Sequence, residues 1–430
     1  MIRISSTDQD FEQRFTDLVN ARRESDPDVV RDVAAILADV KARGDVAIAD
    51  YTARFDGHDL AQSGWKVPAS ECHKALDALG PDLRSALTLA ADRIRAYHIG
   101  QRPTDTESVD AAGVRLGARW RAVDAAGIYV PGGRAAYPSS VLMNMIPAIV
   151  AGVERLVMVT PAMGGNVNPL VLAAAALCGT SEVWRIGGAQ AIAALAYGTN
   201  TIAPVDVITG PGNAWVAEAK RQLYGVVGID MVAGPSEIVV LADDNNDPNW
   251  IAADLLSQAE HDPTSQSILF TDDAAFADRV VAAVEARLGQ LATEQVARAS
   301  WEAHGAVIVT PTLDDAMPLI NRLAPEHLEI ATDEPDRFFA RVRHAGSVFL
   351  GRHTPEAIGD YVAGPNHVLP TGRRARFASG LSVLDFMKRT SFIACDPASL
   401  AAIGPAAITL AEAEGLPAHA ASIATRLIAQ

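Results

Sequence analysis

The residues best suited to chemistry sit in a few short stretches. Ser257-Gln258-Ala259-Glu260-His261-Asp262 ends a run that reads as a helix. Gln258 and His261 are three apart there, so both side chains leave one face. An amide oxygen and an imidazole nitrogen so placed can bind one metal ion, or the histidine can simply answer the negative end of the helix dipole. Further on, Glu326-His327 follows Leu323-Ala324-Pro325. Adjacent helical residues diverge by about 100°, but the proline restrains Ala324 and marks an element boundary. At such a boundary both groups could face one pocket, an imidazole base near neutral pH beside a carboxylate able to activate water. The plainer alternative is an exposed, charged helix start. Asp360 in Gly359-Asp360-Tyr361, His367 after Asn366, and Glu414 and His419 around the Gly415-Leu416-Pro417 break read singly as surface residues or caps.

Glycine clusters form a second class: Pro131-Gly132-Gly133, Gly187-Gly188, Gly210-Pro211-Gly212 and Gly234-Pro235. Each lies where a strand hands over to a helix, the edge at which open α/β sheets bind ligands. Helix N-termini there can hold phosphates through free N–H groups. No GxGxxG occurs. These are either ordinary tight turns or a dinucleotide site without the standard fingerprint.

The elements that must position these groups alternate along the chain. Residues 28–44 and 82–97 carry apolar residues at helical spacing, and the first hundred residues read as helical. Short apolar runs follow at 155–160, in EVWRIGG and VDVITG, at 236–243, in SQSILFTD, and at 305–310 and 347–351, separated by helical stretches. That is the pattern of βαβ units and parallel sheets. After about Ser379 the pattern changes, and from Ser399 to the end the chain reads as Ala-rich and helical, broken once at Gly415-Leu416-Pro417. Such a tail, read as helices alone, adds no strand to a parallel sheet and is suited to packing as an arm on another subunit.

Bulk properties fit an enzyme of this kind. The 430 residues predict more than one core. The net charge of −16 argues against a nucleic-acid footprint or an anionic membrane surface. Three widely spaced cysteines without a CxxC predict no disulfide framework and a reducing compartment. The start, MIRISSTDQDFEQRF, lacks the apolar core of a signal peptide. The most apolar stretch, 141–160, is broken by Asn144, Pro147, Glu154 and Arg155 and is too polar to span a bilayer. A cytoplasmic protein is expected.

Taken together and in order, the segments PGGRAAYPSSVLMN, VWRIGGAQAIAALAYGT, TGPGNAWV, DMVAGPSEIVV, DLLSQAEHDPTSQ, APEHLEI, IGDYVAGPNHVLPT and SGLSVLDFMKRTS resemble the sequence blocks of histidinol dehydrogenases. The resemblance covers about residues 27 to 430. It implies an α/β fold of two Rossmann-like lobes with mostly parallel sheets, helical N- and C-terminal arms and an intertwined dimer. On that plan 1–24 is an N-terminal helical arm, 25–128 with 237–380 a zinc and substrate lobe, 129–236 an NAD-binding lobe, and 381–430 a helical tail reaching the partner's active site.

The resemblance also implies roles for single residues. Gln258, His261, Asp360 and His419 match the zinc ligands, one Zn2+ per subunit, with His419 delivered by the partner. Glu326 and His327 match the catalytic pair. Ser236, Gln258, His261, His327, Asp360, Glu414 and His419 match substrate contacts, and Tyr129, Gln190 and Asn213 match NAD contacts. The implied reaction is the NAD-linked, four-electron oxidation of L-histidinol through the aldehyde to L-histidine, in a homodimer with shared sites that binds neither nucleic acid nor membrane. Aldehyde oxidation through a thiolate is disfavoured, since Cys72, Cys178 and Cys395 lie outside the chemistry-bearing blocks. Two rivals remain. One is a dehydrogenase of another polar alcohol, such as a sulfonated diol, against which Glu414 argues as a partner for a substrate ammonium. The other is a zinc hydrolase or a non-catalytic metal-binding protein.

Overall fold

Short apolar runs flanked by helices bury both faces of a strand only if helices cover both sides of a parallel sheet, and the chain does this twice. The computed structural model describes residues 1–21, 27–132, 137–232 and 234–428. The first sheet has the order Lys66–Val67, Glu182–Trp184, Arg155–Val159, Ala125–Tyr129, Val207–Thr209, Gly228–Ile229. Its neighbours are parallel except the outermost pair, Lys66–Val67 against Glu182–Trp184. The second sheet is parallel throughout, in the order Ile2–Ser5, Ala306–Val309, Gln266–Thr271, Glu237–Ala242, His327–Ala331, Ser347–Leu350. Each sheet has an apolar cluster on either face. In the first, helices Pro81–Ile99, Pro138–Ala151 and Pro169–Leu177 supply one cluster, and helices Pro27–Arg43, Gly188–Tyr197 and Ala214–Leu223 the other.

Three features differ from the sequence-based plan. The described part of the expected N-terminal arm, residues 1–21, is not a free helical arm. Ile2–Ser5 is an edge strand paired with Ala306–Val309, and Phe11, Phe15 and Val19 of helix Phe11–Asn20 enter the second core. A four-residue strand among polar residues is too short to show a period. Residues 27–99 pack on the first sheet rather than the second, because Val29, Val33, Ile36, Leu37 and Val40 join the cluster of Ile192, Leu195 and Val216, and Leu87, Ala90 and Ile94 join the other. The expected division at 24/25 lies outside the described residues. The tail, finally, is not helices alone. Met387–Ala394 pairs antiparallel with Arg115–Ala122, which pairs with Thr106–Val109, in a separate three-stranded sheet. These strands are largely exposed and rich in arginine and lysine, so no apolar run announces them.

Beyond that strand, helices Pro397–Ala413 and Pro417–Ile428 pack on each other where Gly404 meets Ile423 and Leu427. They leave Ile403, Leu410, Leu416 and Ile428 exposed. Among the described residues no helix is long and apolar enough to cross a membrane.

Candidate functional site

The amino edge of the second sheet gathers most of the candidate residues. Helix Leu313–Leu323 ends with Ala324 in the left-handed region at φ 49°, and after Pro325 the chain enters a strand whose first residue is His327. Glu326 and His327 therefore start a buried strand, not an exposed helix. His327 lies between Ile238 and Ser347 of the neighbouring strands, one step from Ser236 and Glu237. Its Nδ1 faces the Glu237 carbonyl oxygen at 3.0 Å. A carbonyl only accepts, so Nδ1 carries the hydrogen and Nε2 keeps its lone pair. The Glu326 carboxylate accepts the Glu237 N–H at 2.9 Å and lies 3.7 Å from His327 Nδ1.

Two helices bring the remaining groups to this edge. Helix Pro248–Ala259 runs back along the sheet and delivers Gln258 in its last turn, with His261 just past its end. Helix Ala357–Tyr361 carries Asp360, and it sits so close to the sheet that a side chain at Gly359 would come within 2.7 Å of the Phe349 ring. Asp360 stands between two imidazoles, 4.0 Å from His261 Nε2 and 3.6 Å from His367 Nδ1. The segment after it is tied to the first lobe, since Asn366 donates to the Met143 carbonyl at 2.5 Å and Arg93 to that of Ala363 at 3.2 Å.

Burial sets the charge states. It pulls His327 down to about 4, so the imidazole is neutral at pH 7. It raises Glu326 well above the usual carboxylate range, and the charges of Glu237, Asp360 and Glu356 add to this. Glu356 rises to about 8, chiefly by burial and then by the Asp360 charge. Burial acts to raise Asp360 too, but the hydrogen bond and charge of His367, with His327 and His261, outweigh it and hold Asp360 low. Thiolate chemistry has no support: burial pushes Cys178 up to about 12 and raises Cys72.

Among the described residues, His327, Glu356 and Asp360 can place ligand atoms within 4.8 Å of one another, a group able to hold a metal ion. The Gln258, His261, Asp360 set meets a separate test. Gln258 is buried, yet its Oε1 has no hydrogen-bond partner, the condition a cation would relieve. Two ligands of one zinc stand at most about 4.2 Å apart, twice a ~2.1 Å bond, and His261 and Asp360 lie within that span. Asp360 belongs to both sets. Glu356 stands outside the sequence-predicted set, although it lies four residues before Asp360, about one helical turn away. His367, which the sequence suggests is a surface residue or cap, is instead the ion-pair partner of Asp360. Glu414 and His419 are exposed on the tail and join none of these contacts within the protomer.

The other candidates lie at the carboxyl edge of the first sheet. Tyr129 ends the central strand, Gln190 is buried in the first turn of helix Gly188–Tyr197, and Asn213 caps helix Ala214–Leu223 by accepting the Val216 N–H at 3.1 Å. The Tyr129 hydroxyl accepts the Gly188 N–H at 3.2 Å, and burial pushes that phenol up to about 12. At Gly187 a side chain would run into Pro161, so the turn requires glycine there. Gly133 lies outside the described residues. The matching edge of the second sheet carries Asp243, Asp244, Asp272, Asp273 and Asp333, with Arg352 bonded to Asp243 at 2.9 Å and paired with Asp333 at 3.0 Å. Five carboxylates there repel a pyrophosphate; the glycine turns and open helix N-terminus of the first sheet do not.

Comparison with known proteins is consistent along the chain. A family model described as histidinol dehydrogenase matches residues 19–427. A histidinol dehydrogenase from Zymomonas mobilis subsp. mobilis is 64% identical over 427 residues, covering 99% of both chains. One from Rhodospirillum rubrum is 61% identical over 427 residues, covering 99% of this chain and 98% of the other. The crystal structure of histidinol dehydrogenase from Elizabethkingia anophelis matches with a TM-score of 0.94 at 35% identity, covering 100% of this chain and 98% of that one.

Proposed function

The chain belongs to the histidinol dehydrogenase family, and from that premise we propose that it oxidises L-histidinol to L-histidine at the amino edge of the second sheet, the last step of histidine biosynthesis. The observation that carries the residue assignment is His327: a buried, neutral imidazole whose Nδ1–H is committed to the Glu237 carbonyl, leaving Nε2 to accept a proton. It stands beside a second, acidic group, Glu326, in one pocket.

Gln258, His261 and Asp360, with the partner subunit's His419, would hold a zinc ion, and Tyr129, Gln190 and Asn213 would hold NAD. Bound zinc supplies a cationic anchor for the substrate's nitrogens, and bound NAD takes up hydride, twice per substrate. His327 accepts the alcohol proton at Nε2 in the first oxidation. Glu326 in its carboxylate form would take a proton from water as that water adds to the aldehyde, and the protonated His327 beside it returns its proton to the aldehyde oxygen. His327 then accepts a proton from the hydrate in the second oxidation, which leaves the carboxylate product. Ser236 and the partner subunit's Glu414 complete the substrate contacts, the latter facing the ammonium.

The homodimer is supported by Ile403, Leu410 and Leu416, apolar side chains exposed on the paired tail helices. A cytoplasmic location fits the free cysteines among the described residues. The decisive experiment for the assigned pair is Glu326→Gln. It should slow the second oxidation more than the first and release fewer than two NADH per histidinol. Two NADH at an undiminished rate would remove Glu326 from water activation.

A further inference from the structure

One glycine turn at the carboxyl edge of the first sheet is held by charge. Lys220 and Asp230 form an ion pair inside the lobe, their side chains 3% and 0% exposed. Lys220 Nζ donates to the Gly210 carbonyl at 3.0 Å, while the Gly210 N–H donates to Asp230 Oδ2 at 2.8 Å. The Met231 N–H donates to Asp230 Oδ1 at 2.6 Å. Opposite charges thus grip both backbone groups of one residue. Gly210 has φ 115°, and a side chain there would run into the Tyr129 carbonyl oxygen. Three residues on, Asn213 caps the helix that carries Lys220. The backbone of Tyr129, one assigned cofactor contact, therefore abuts the peptide that the ion pair holds, and Asn213, another, lies three residues along the same turn.

A buried ion pair is a poor means of stabilising a core. Desolvation roughly offsets the attraction, and an apolar pair of similar volume is often neutral or better. What charges at this site supply is a single geometry for the turn. We propose that Lys220 and Asp230 are positioning residues for the dinucleotide, fixing the Gly210–Asn213 turn in the conformation that admits it. The proposal rests on the placement of NAD at this edge.

The test replaces the pair by apolar residues, Lys220→Met with Asp230→Leu, and measures melting temperature, zinc content and steady-state kinetics. Melting should fall, since the Gly210 N–H and C=O and the Met231 N–H lose their partners. KM for NAD should rise about tenfold, the effect of losing a preorganised binding turn, while kcat at saturating NAD, KM for histidinol and zinc content stay within about threefold. A purely structural role would lower melting and leave KM for NAD alone. Asp230→Asn keeps an acceptor for the Gly210 N–H, so it should give an intermediate KM and serves if the double variant does not fold. KM for NAD within about twofold of wild type in a folded variant overturns the proposal. Asn213→Ala and Gln190→Ala separate the two claims. If they raise KM for NAD and the ion-pair variants do not, only the positioning role fails. If they too leave it unchanged, the cofactor placement fails and takes the positioning role with it.

Discussion

Replacing His327 by asparagine tests the proton acceptor with little damage to the fold. The imidazole makes one committed bond, Nδ1 to the Glu237 carbonyl at 3.0 Å. An asparagine Nδ2 can keep that donor while Nε2 disappears. Loss of a positioned base costs about 10²- to 10⁴-fold in rate, which is about 2.7 to 5.4 kcal/mol at ~1.36 kcal/mol per decade. His327→Ala also strands the buried carbonyl, at about 1–3 kcal/mol of stability. The two variants should therefore lose similar turnover but differ in melting temperature, with asparagine close to wild type. Acid stability adds a signature. Burial lowers His327 from 6.5 to about 4 in the folded protein, so the unfolded chain binds more protons between those values. The stability that the neutral, buried ring contributes is complete above pH 6.5 and is lost as pH falls toward 4. Asparagine does not titrate, so His327→Asn should gain on wild type as pH drops from 7 to 5. The assay is NADH formation, with zinc content and thermal melting measured on the same samples. If a zinc-loaded His327→Asn enzyme keeps more than about a tenth of wild-type turnover, His327 is not the base.

The remaining predictions probe the metal, the dimer and the buried acids. His261→Asn should lose zinc by elemental analysis while Glu356→Gln retains it; the opposite result would place the metal on the His327, Glu356 and Asp360 group. Mixed refolding of inactive His261→Asn and inactive His419→Asn chains should restore part of the activity, because one site of a mixed dimer collects both defects and the other neither. Heterodimers that form but stay inactive would show that the tail serves its own subunit. Glu329 is raised by burial and by the neighbouring Asp254, itself raised by burial to about 6. Raised carboxyls favour folding below the ordinary carboxylate range and lose that contribution as pH rises through their folded values. Glu329→Gln should therefore melt progressively higher relative to wild type between pH 5 and 8; parallel melting curves would refute the coupling.

How far the sequence carried depends on what each element buries. Strands such as Ala125–Tyr129 and Gln266–Thr271 are covered on both faces and read directly as apolar runs. Met387–Ala394 carries Lys388, Arg389, Thr390 and Ser391 between apolar ends on an exposed sheet and reads as nothing in particular. Ile2–Ser5 is an edge strand whose partner lies three hundred residues away, a pairing that no local period can show. The same holds within the site. Gln258 and His261 share a helix face and were legible as a pair, and Pro325 marked the boundary that sets Glu326 and His327 together. Glu356 shows in the sequence only as a carboxylate four residues before Asp360; its closeness to His327 comes from the docking of helix Ala357–Tyr361 on Phe349, which no local spacing shows. Glu414 and His419 stay exposed in a single chain, and their roles rest on resemblance and on a second subunit.

The measurement closest to the central claim is the stoichiometry of NADH released when limiting L-histidinol is added to the zinc-loaded protein with excess NAD. Two NADH per histidinol, with L-histidine as the final product and no free aldehyde, is the predicted result. No NADH, or one NADH with the aldehyde left over, would contradict it.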